Sequence, residues 1–222
     1  GEAHLDRARA SAALGELAPA RTDIDMALKL IPADPLGWLL SATLARREGN
    51  LVRAGSDIEE AAKRAPDDAA VALEAGNIAI LNGAPEAAKR AWQAAVKNGA
   101  ETPAGKAAAE ALKQFWIDWL GPERIWEIYG GTEGFATTQL SGTEWLAHRG
   151  SVGRPVGAEV LILGDDGAAL PPGEVGDIYM RRAGAGGAPS YAYVGAQSRR
   201  LPDGFESFGD QGWVDAEGYL YI

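Results

Sequence analysis

A spacing of 34 residues runs through the first half of this chain and then stops. Gly15, Gly49 and Gly83 are in step, as are Ala20, Ala54 and Ala88, and again Ala27, Ala61 and Ala95. Ile24, Ile58 and Trp92 keep one large apolar residue in phase, and Pro32 and Pro66 share the register. A fixed period of this kind means stacked copies of one helical unit, because a single unit has too little apolar surface to close a core alone. Small residues such as Ala8, Ala42 and Gly76 mark where two helices approach closely, since a bulky side chain there would push them apart. The in-phase glycines fall where a helix end wants a left-handed residue, and the prolines where a helix cannot continue. The spacing predicts helix pairs at 3–14/17–30, 37–48/51–64 and 71–82/85–98, with a seventh helix starting near Thr102 or Pro103.

After about residue 113 the composition changes with the period. Residues 1–113 hold 14 Lys+Arg and 16 Asp+Glu, a net of −2, whereas residues 114–222 hold 7 and 15, a net of −8. Twenty of the 29 glycines and all six tyrosines lie in the second part, and no lysine follows Lys113. Two unlike domains explain this better than one. A total of −10 argues against nucleic acid, which needs clustered basic side chains to release counterions. The absence of cysteine removes disulfide frameworks and thiolate metal sites. No run of about 18 apolar residues is long enough to span a membrane, and a cytoplasmic location is the expectation. The chain begins at Gly1 in mid-repeat style without a signal-like segment, which reads as a fragment or a processed product.

The period, its small residues and its boundary prolines resemble the tetratricopeptide repeat (TPR), a helix-turn-helix solenoid. The resemblance implies a concave face for a peptide or protein partner, here including Leu5, Arg9, Leu39, Thr43, Arg46, Leu73, Asn77 and Ile80. Relatives that grip a carboxy-terminal tail need basic or amide groups where this chain has Leu5, Arg9, Leu40, Ala70 and Glu74. Only Arg9 fits, so that clamp is not expected.

The second half carries the chemistry. Ile125–Tyr129 reads as a short buried strand that runs into Gly130-Gly131-Thr132-Glu133-Gly134. Glycines after a strand let backbone come close to a nucleotide, a threonine hydroxyl can bond a phosphate oxygen, and a glutamate can hold Mg²⁺. Asp210, flanked by glycines, could accept two bonds from ribose hydroxyls or simply form an Asx turn at a hairpin. Further strands are expected at Glu159–Leu163, Asp177–Arg181, Tyr191–Val194 and Tyr219–Ile222, with Gly164-Asp-Asp-Gly167 as a hairpin signal.

Tyr129-Gly-Gly-Thr-Glu133, Arg149-Gly-Ser-Val-Gly-Arg-Pro155, Gly173-Glu-Val-Gly-Asp-Ile178, Gly209-Asp210 and Gly218-Tyr-Leu-Tyr-Ile222 occur in the order of the adenylate-forming acyl-CoA synthetases, the AMP-binding enzyme family. The chain resembles that family from near Ile117 to its end. The resemblance implies that Tyr129 stacks on adenine, Gly130 and Gly131 lie against the acyl or adenylate group, and Thr132 contacts phosphate. Glu133 would bind Mg²⁺, and Asp210 would hold the ribose hydroxyls. In such enzymes a carboxylate attacks the α-phosphate of ATP, and the thiol of CoA then displaces AMP. ATP or AMP, Mg²⁺ and CoA are thus the implied ligands. The family's phosphate loop and its catalytic lysine have no counterpart here, so the chain is not expected to turn over alone.

The expected fold is therefore multidomain. An all-α TPR solenoid of three repeats occupies 1–100 and a capping or connecting helix 101–121. An incomplete α/β plus β-barrel segment of the adenylate-forming fold occupies 122–222. High helix propensity from Lys106 to Leu120, with no Gly/Ser/Pro linker, predicts one continuous helix there, broken by Gly121-Pro122. Strand Ile125–Tyr129 would lack its neighbours and pair poorly or with a makeshift partner. Two functions remain open at this stage: an interaction module joined to part of a ligase, or a TPR scaffold with a non-functional relic.

Overall fold

The computed structural model describes residues 1–131, 136–184, 199–207 and 209–222. The chain divides into two compact units, Gly1–Phe115 and Trp116–Ile222. Seven helices precede Gly121: α1 (Glu2–Ala13), α2 (Leu17–Leu30), α3 (Pro35–Arg47), α4 (Leu51–Arg64), α5 (Ala69–Leu81), α6 (Pro85–Gly99) and α7 (Pro103–Leu120). They stand within two residues of the positions the period predicts. α7 is unbroken from Pro103 to Leu120 and ends at Gly121, whose φ is +93°.

The recurrent glycines end three helices in one way. Gly15, Gly49 and Gly83 have φ of +82°, +76° and +71°. Around them the amides of Glu16, Asn50 and Ala84 reach back five residues to Ser11, Ala45 and Ala79 at 2.9, 2.8 and 2.9 Å. That is the Schellman arrangement, which satisfies carbonyls that the helix end would otherwise orphan. Helix starts repeat as well. Asp34 Oδ1 accepts from the Leu36 amide at 2.9 Å, Asp68 Oδ1 from the Ala70 amide at 2.7 Å, and Thr102 Oγ1 from the Gly105 amide at 3.1 Å. These caps also stand 34 apart. They start α3 and α5 two residues before the positions read from the apolar pattern, because a cap fixes the first turn ahead of the first buried side chain.

Between paired helices, Ala20, Ala54 and Ala88 and then Ala27, Ala61 and Ala95 are all 0% exposed. In the third unit Trp92 stands where Ile24 and Ile58 stand in the first two, and Gly76 where Ala8 and Ala42 stand. A methyl on Gly76 would lie 2.3 Å from Trp92 Nε1, so the indole takes the volume that alanine fills elsewhere.

The second unit takes in the end of α7 and continues with a 3-10 turn, Pro122–Arg124. β1 (Trp126–Gly130), β2 (Thr137–Ser141), the short α8 (Gly142–Ala147), β3 (Ser151–Pro155), β4 (Ala158–Leu163) and β5 (Gly176–Arg182) follow. β6 (Arg199–Arg200), β7 (Glu206–Ser207), β8 (Gln211–Val214) and β9 (Leu220–Tyr221) complete it. The sheet order is β1-β2-β3-β9-β8-β5-β7-β6, with β4 also on β5, and every described pairing is antiparallel. Among the described strands β1 stands at one end of this order and takes β2 along its whole length, Trp126 opposite Ser141 through Gly130 opposite Thr137. Its alternation leaves Trp126 and Ile128 exposed and turns Glu127 and Tyr129 inward, so it is half-buried rather than the buried strand expected. The strand expected at Tyr191–Val194 lies outside the described residues. The Gly164–Gly167 turn closes on a bridge between Leu163 and Ala169.

Among the described residues two clusters hold this unit: Ala136, Ile162, Ile178, Met180 and Leu220, and separately Ile117, Leu140, Trp145 and Tyr219. Each large side chain buried in them contributes roughly 1.5–3 kcal/mol.

Candidate functional site

Tyr129 and Asp210, 81 positions apart, meet directly: the phenol donates to Asp210 Oδ2 at 2.8 Å. Strand geometry sets one side of this contact. Tyr129 faces inward because Thr138 opposes it on β2, and its ring packs against the cluster around Met180. The other side is a loop fixed by backbone. Gly209 has φ of +94°, the Asp210 carbonyl accepts from the Ile178 amide at 3.0 Å, and the Gly209 amide donates to Ser207 Oγ at 3.0 Å. Gly212 anchors the following strand, since a methyl there would sit 2.1 Å from the Tyr221 carbonyl oxygen. Burial, reinforced by the neighbouring carboxylate of Asp210, pushes the Tyr129 hydroxyl well above the usual phenol range. It remains a donor at any ordinary pH.

Gly130 ends β1, and a methyl on it would stand 2.9 Å from the Ala136 carbonyl oxygen. Gly131 follows, half-buried. Thr132 and Glu133 lie outside the described residues, so their expected phosphate and Mg²⁺ contacts have no geometry here.

A second polar cluster surrounds Tyr219 and was not singled out from the sequence. The His148 ring stacks on the Tyr219 ring with centroids 3.6 Å apart, and the Arg154 guanidinium lies 4.3 Å from the same centroid. Two groups so near one centroid cannot share a face, so the phenol ring is held between them. His148 Nδ1 is 3.3 Å from Asp215 Oδ2, and its Nε2 is 3.5 Å from Glu217 Oε2. Asp215 Oδ1 accepts from the amides of Glu217 and Tyr219, both at 2.9 Å, which is an Asx turn at the β8–β9 hairpin. The sequence offered that turn as a role for Asp210; Asp215 fills it and Asp210 takes the tyrosine. Burial raises the Asp215 pKa, but the two amides and the Tyr221 hydroxyl outweigh it and leave the carboxyl below its usual range. Glu144 is likewise lowered, chiefly by the hydroxyl and amide of Ser141 in a capping box. The legible signal for this cluster was Ser141-Gly-Thr-Glu144 itself.

In the helical unit the groove residues expected from the sequence are largely engaged by their own fold. Arg46 donates through Nε and Nη2 to the two carboxylate oxygens of Glu74, at 2.6 and 3.1 Å. Asn77 Oδ1 accepts from Trp92 Nε1 at 3.1 Å. Leu39 and Leu73 pack, partly buried, on the cores around Ile58 and Trp92. Ile80 is exposed at 39% and Arg9 is exposed, while Leu5 is a core residue at 2%.

Among the described residues no helix is long and apolar enough to cross a membrane.

Comparison with known proteins places these residues in context. The family model for "AMP-binding enzyme" matches residues 55–191, a span that begins inside α4 and ends before Asp210. A sulfoacetate–CoA ligase of Cupriavidus necator is 39% identical over 77 residues, which is 33% of this chain and 14% of that protein. An oxalate–CoA ligase of Saccharomyces cerevisiae is 34% identical over 74 residues, again 33% of this chain and 14% of the relative. The chain thus matches about a seventh of the length of these curated relatives. Among solved structures, an o-succinylbenzoate CoA synthetase of Bacillus subtilis with its acyl-adenylate intermediate is 26% identical, with a TM-score of 0.42. That likeness covers 51% of this chain and 23% of that one.

Proposed function

This chain belongs to the AMP-binding enzyme family, and we propose that it joins a TPR-type interaction unit to an adenosine-binding portion of an acyl-CoA ligase. The observation that carries the reading is the meeting of Tyr129 and Asp210 in one site. These are the two residues that the family resemblance assigns to adenine and ribose, and they come from opposite ends of the second unit. A carboxylate on a fixed loop beside an aromatic ring suits a nucleoside: the ring offers a stacking face and the carboxylate accepts from a hydroxyl.

The ligand that fits is AMP or an adenylate rather than free ATP. Residues 114–222 carry a net charge of −8 and no lysine, so three phosphates meet more repulsion than one. Mg²⁺ is assigned to Glu133 by resemblance alone; bound there, it would neutralise phosphate charge. The purified chain therefore binds AMP weakly and gives no thioester. Acyl-adenylate formation develops negative charge at the α-phosphate, and residues 114–222 offer no lysine for the electrostatic stabilisation that is usually the largest single source of rate enhancement.

The TPR reading of the first unit is supported by helix caps and Schellman ends that recur every 34 residues. Its partner is a peptide or protein segment laid along the face that carries Leu39, Leu73 and Ile80. Because Arg46 is engaged with Glu74, any acidic partner would have to displace that carboxylate.

Calorimetric titration with AMP and with Mg·ATP tests the nucleotide reading, with Glu133→Ala as control and pyrophosphate exchange as the activity assay. Weak AMP heats, weaker ATP heats and background exchange are expected. Absence of any nucleotide binding, or robust thioester formation, would sink it.

A further inference from the structure

We infer that the Tyr129 hydroxyl is an internal cap on Asp210, so that an adenosine-class ligand enters only when this hydrogen bond opens. The inference rests on the nucleotide reading above and adds what controls access to that site. Asp210 Oδ2 is already occupied by the phenol at 2.8 Å. A ribose with two neighbouring hydroxyls is best held by both oxygens of one carboxylate, and the phenol takes one of the lone-pair positions on Oδ2 and competes there with one of the two hydroxyls. Neither partner drifts away easily. Asp210 is tied by its carbonyl to the Ile178 amide at 3.0 Å, and Tyr129 is tied by the β1–β2 register and by apolar packing.

The competition is unequal in a definite direction. The phenol is tethered to the same fold, so it needs no translational entropy to find the carboxylate, whereas the ribose must supply that cost from its own contacts. A protein whose competent state is a minor fraction binds with its affinity reduced by that fraction. The raised ionisation of Tyr129 keeps the cap in its donor form across the physiological range. A hydrogen bond to a charged group is worth enough for the cap to suppress nucleoside affinity roughly tenfold to a hundredfold.

Tyr129→Phe keeps the ring and removes only the donor. Calorimetry with AMP and with adenosine on the full chain should show the phenylalanine variant binding about tenfold or more tighter than the wild type. In an Asp210→Asn background, where the anionic acceptor is gone, the same change should bring no gain. Spectrophotometric pH titration gives a readout independent of nucleotide: Asp210→Asn should lower the pH at which Tyr129 ionises, while burial still holds it above the ordinary phenol range. Equal or weaker AMP binding by Tyr129→Phe would overturn the cap and leave the nucleotide reading standing. No nucleotide binding by either protein would overturn both. An unchanged tyrosine titration in Asp210→Asn would show that the contact does not hold in solution and would likewise overturn the cap.

Discussion

In the helical unit the residues that hold the fold lie within about one repeat of each other; in the sheet unit local pairs such as β1–β2 and β4–β5 are tied together by contacts that span most of its length. Ser41 donates to Asp57 at a separation of 16, and Arg46 reaches Glu74 at a separation of 28. By contrast, Ser151 Oγ donates to the Leu220 carbonyl across 69 positions, Tyr219 to Glu144 across 75, and Tyr129 to Asp210 across 81. Short separations mean that each helix pair closes with little loss of chain entropy and then stacks on its neighbour. Long separations mean that the sheet gains nothing from one contact until several have formed together. A defect in the first unit should therefore stay local, and a defect in the second should cost the whole unit.

The strongest test of that contrast uses one substitution in two settings. Gly153 on β3 has φ of +100°, and a methyl there would lie 2.1 Å from the Gln139 carbonyl oxygen on β2. Gly49 has φ of +76° with nothing within 4 Å of the same methyl. Gly153→Ala combines backbone strain with overpacking against a rigid strand, so a loss of about 3 kcal/mol is expected. Gly49→Ala carries only the left-handed penalty, about 1 kcal/mol. Urea unfolding followed by near-ultraviolet and far-ultraviolet circular dichroism separates the two. Equal losses would break the comparison.

What could be read in advance follows the same division. The helices are legible because Gly15, Gly49 and Gly83 declare their ends at a constant interval, and α3 and α5 start two residues ahead of the apolar pattern because Asp34 and Asp68 cap them. The carboxylates inside this unit were not foreseen. Asp23, held by His4 and Arg7, and Asp57, held by Ser41 and Arg53, are themselves 34 apart, so the period contained that signal. In the sheet unit no local pattern announces that Tyr129 bonds Asp210 or that His148 stacks on Tyr219, because such pairs are fixed by topology rather than by spacing. Tyr129 and Asp210 emerged as candidates through ordered motifs resembling a family, and their direct contact required the fold. Strand β1 was expected to be buried and is instead half-exposed, since its pairing with β2 is set by a partner downstream rather than by its own composition.

A smaller effect probes the repeat's one exception. Gly76→Ala should destabilise the helical unit by about 1–3 kcal/mol, because the added methyl meets the Trp92 indole. In a Trp92→Ile background, which restores the residue of the other two repeats, the same glycine change should be nearly neutral. The coupling across that double-mutant cycle is the measured quantity. Additive effects would mean that the third unit packs differently from its neighbours.

The smallest effect is one of alkaline pH, and it should fall on the sheet unit alone. All six tyrosines belong to the second half, and burial raises the ionisation of Tyr129, Tyr219 and Tyr221, helped by Asp210, Glu144 and Asp215 respectively. A group whose folded pKa is raised stabilises the fold below its unfolded value, near 10 for tyrosine, and loses that contribution as pH rises through the folded value. Stability of the sheet unit should thus be level from neutral pH to about pH 9–10 and decline above it. The helical unit has no tyrosine, and its raised Lys63 is an exposed partner of Glu60, an arrangement that contributes little. Thermal melts at stepped pH, read at 222 nm for the helices and by near-ultraviolet signal for the sheet, should show the second midpoint falling first. If the helical midpoint falls first or both fall together, the tyrosine clusters are not what sets the alkaline limit, and the contrast between local and long-range partners does not extend to pH.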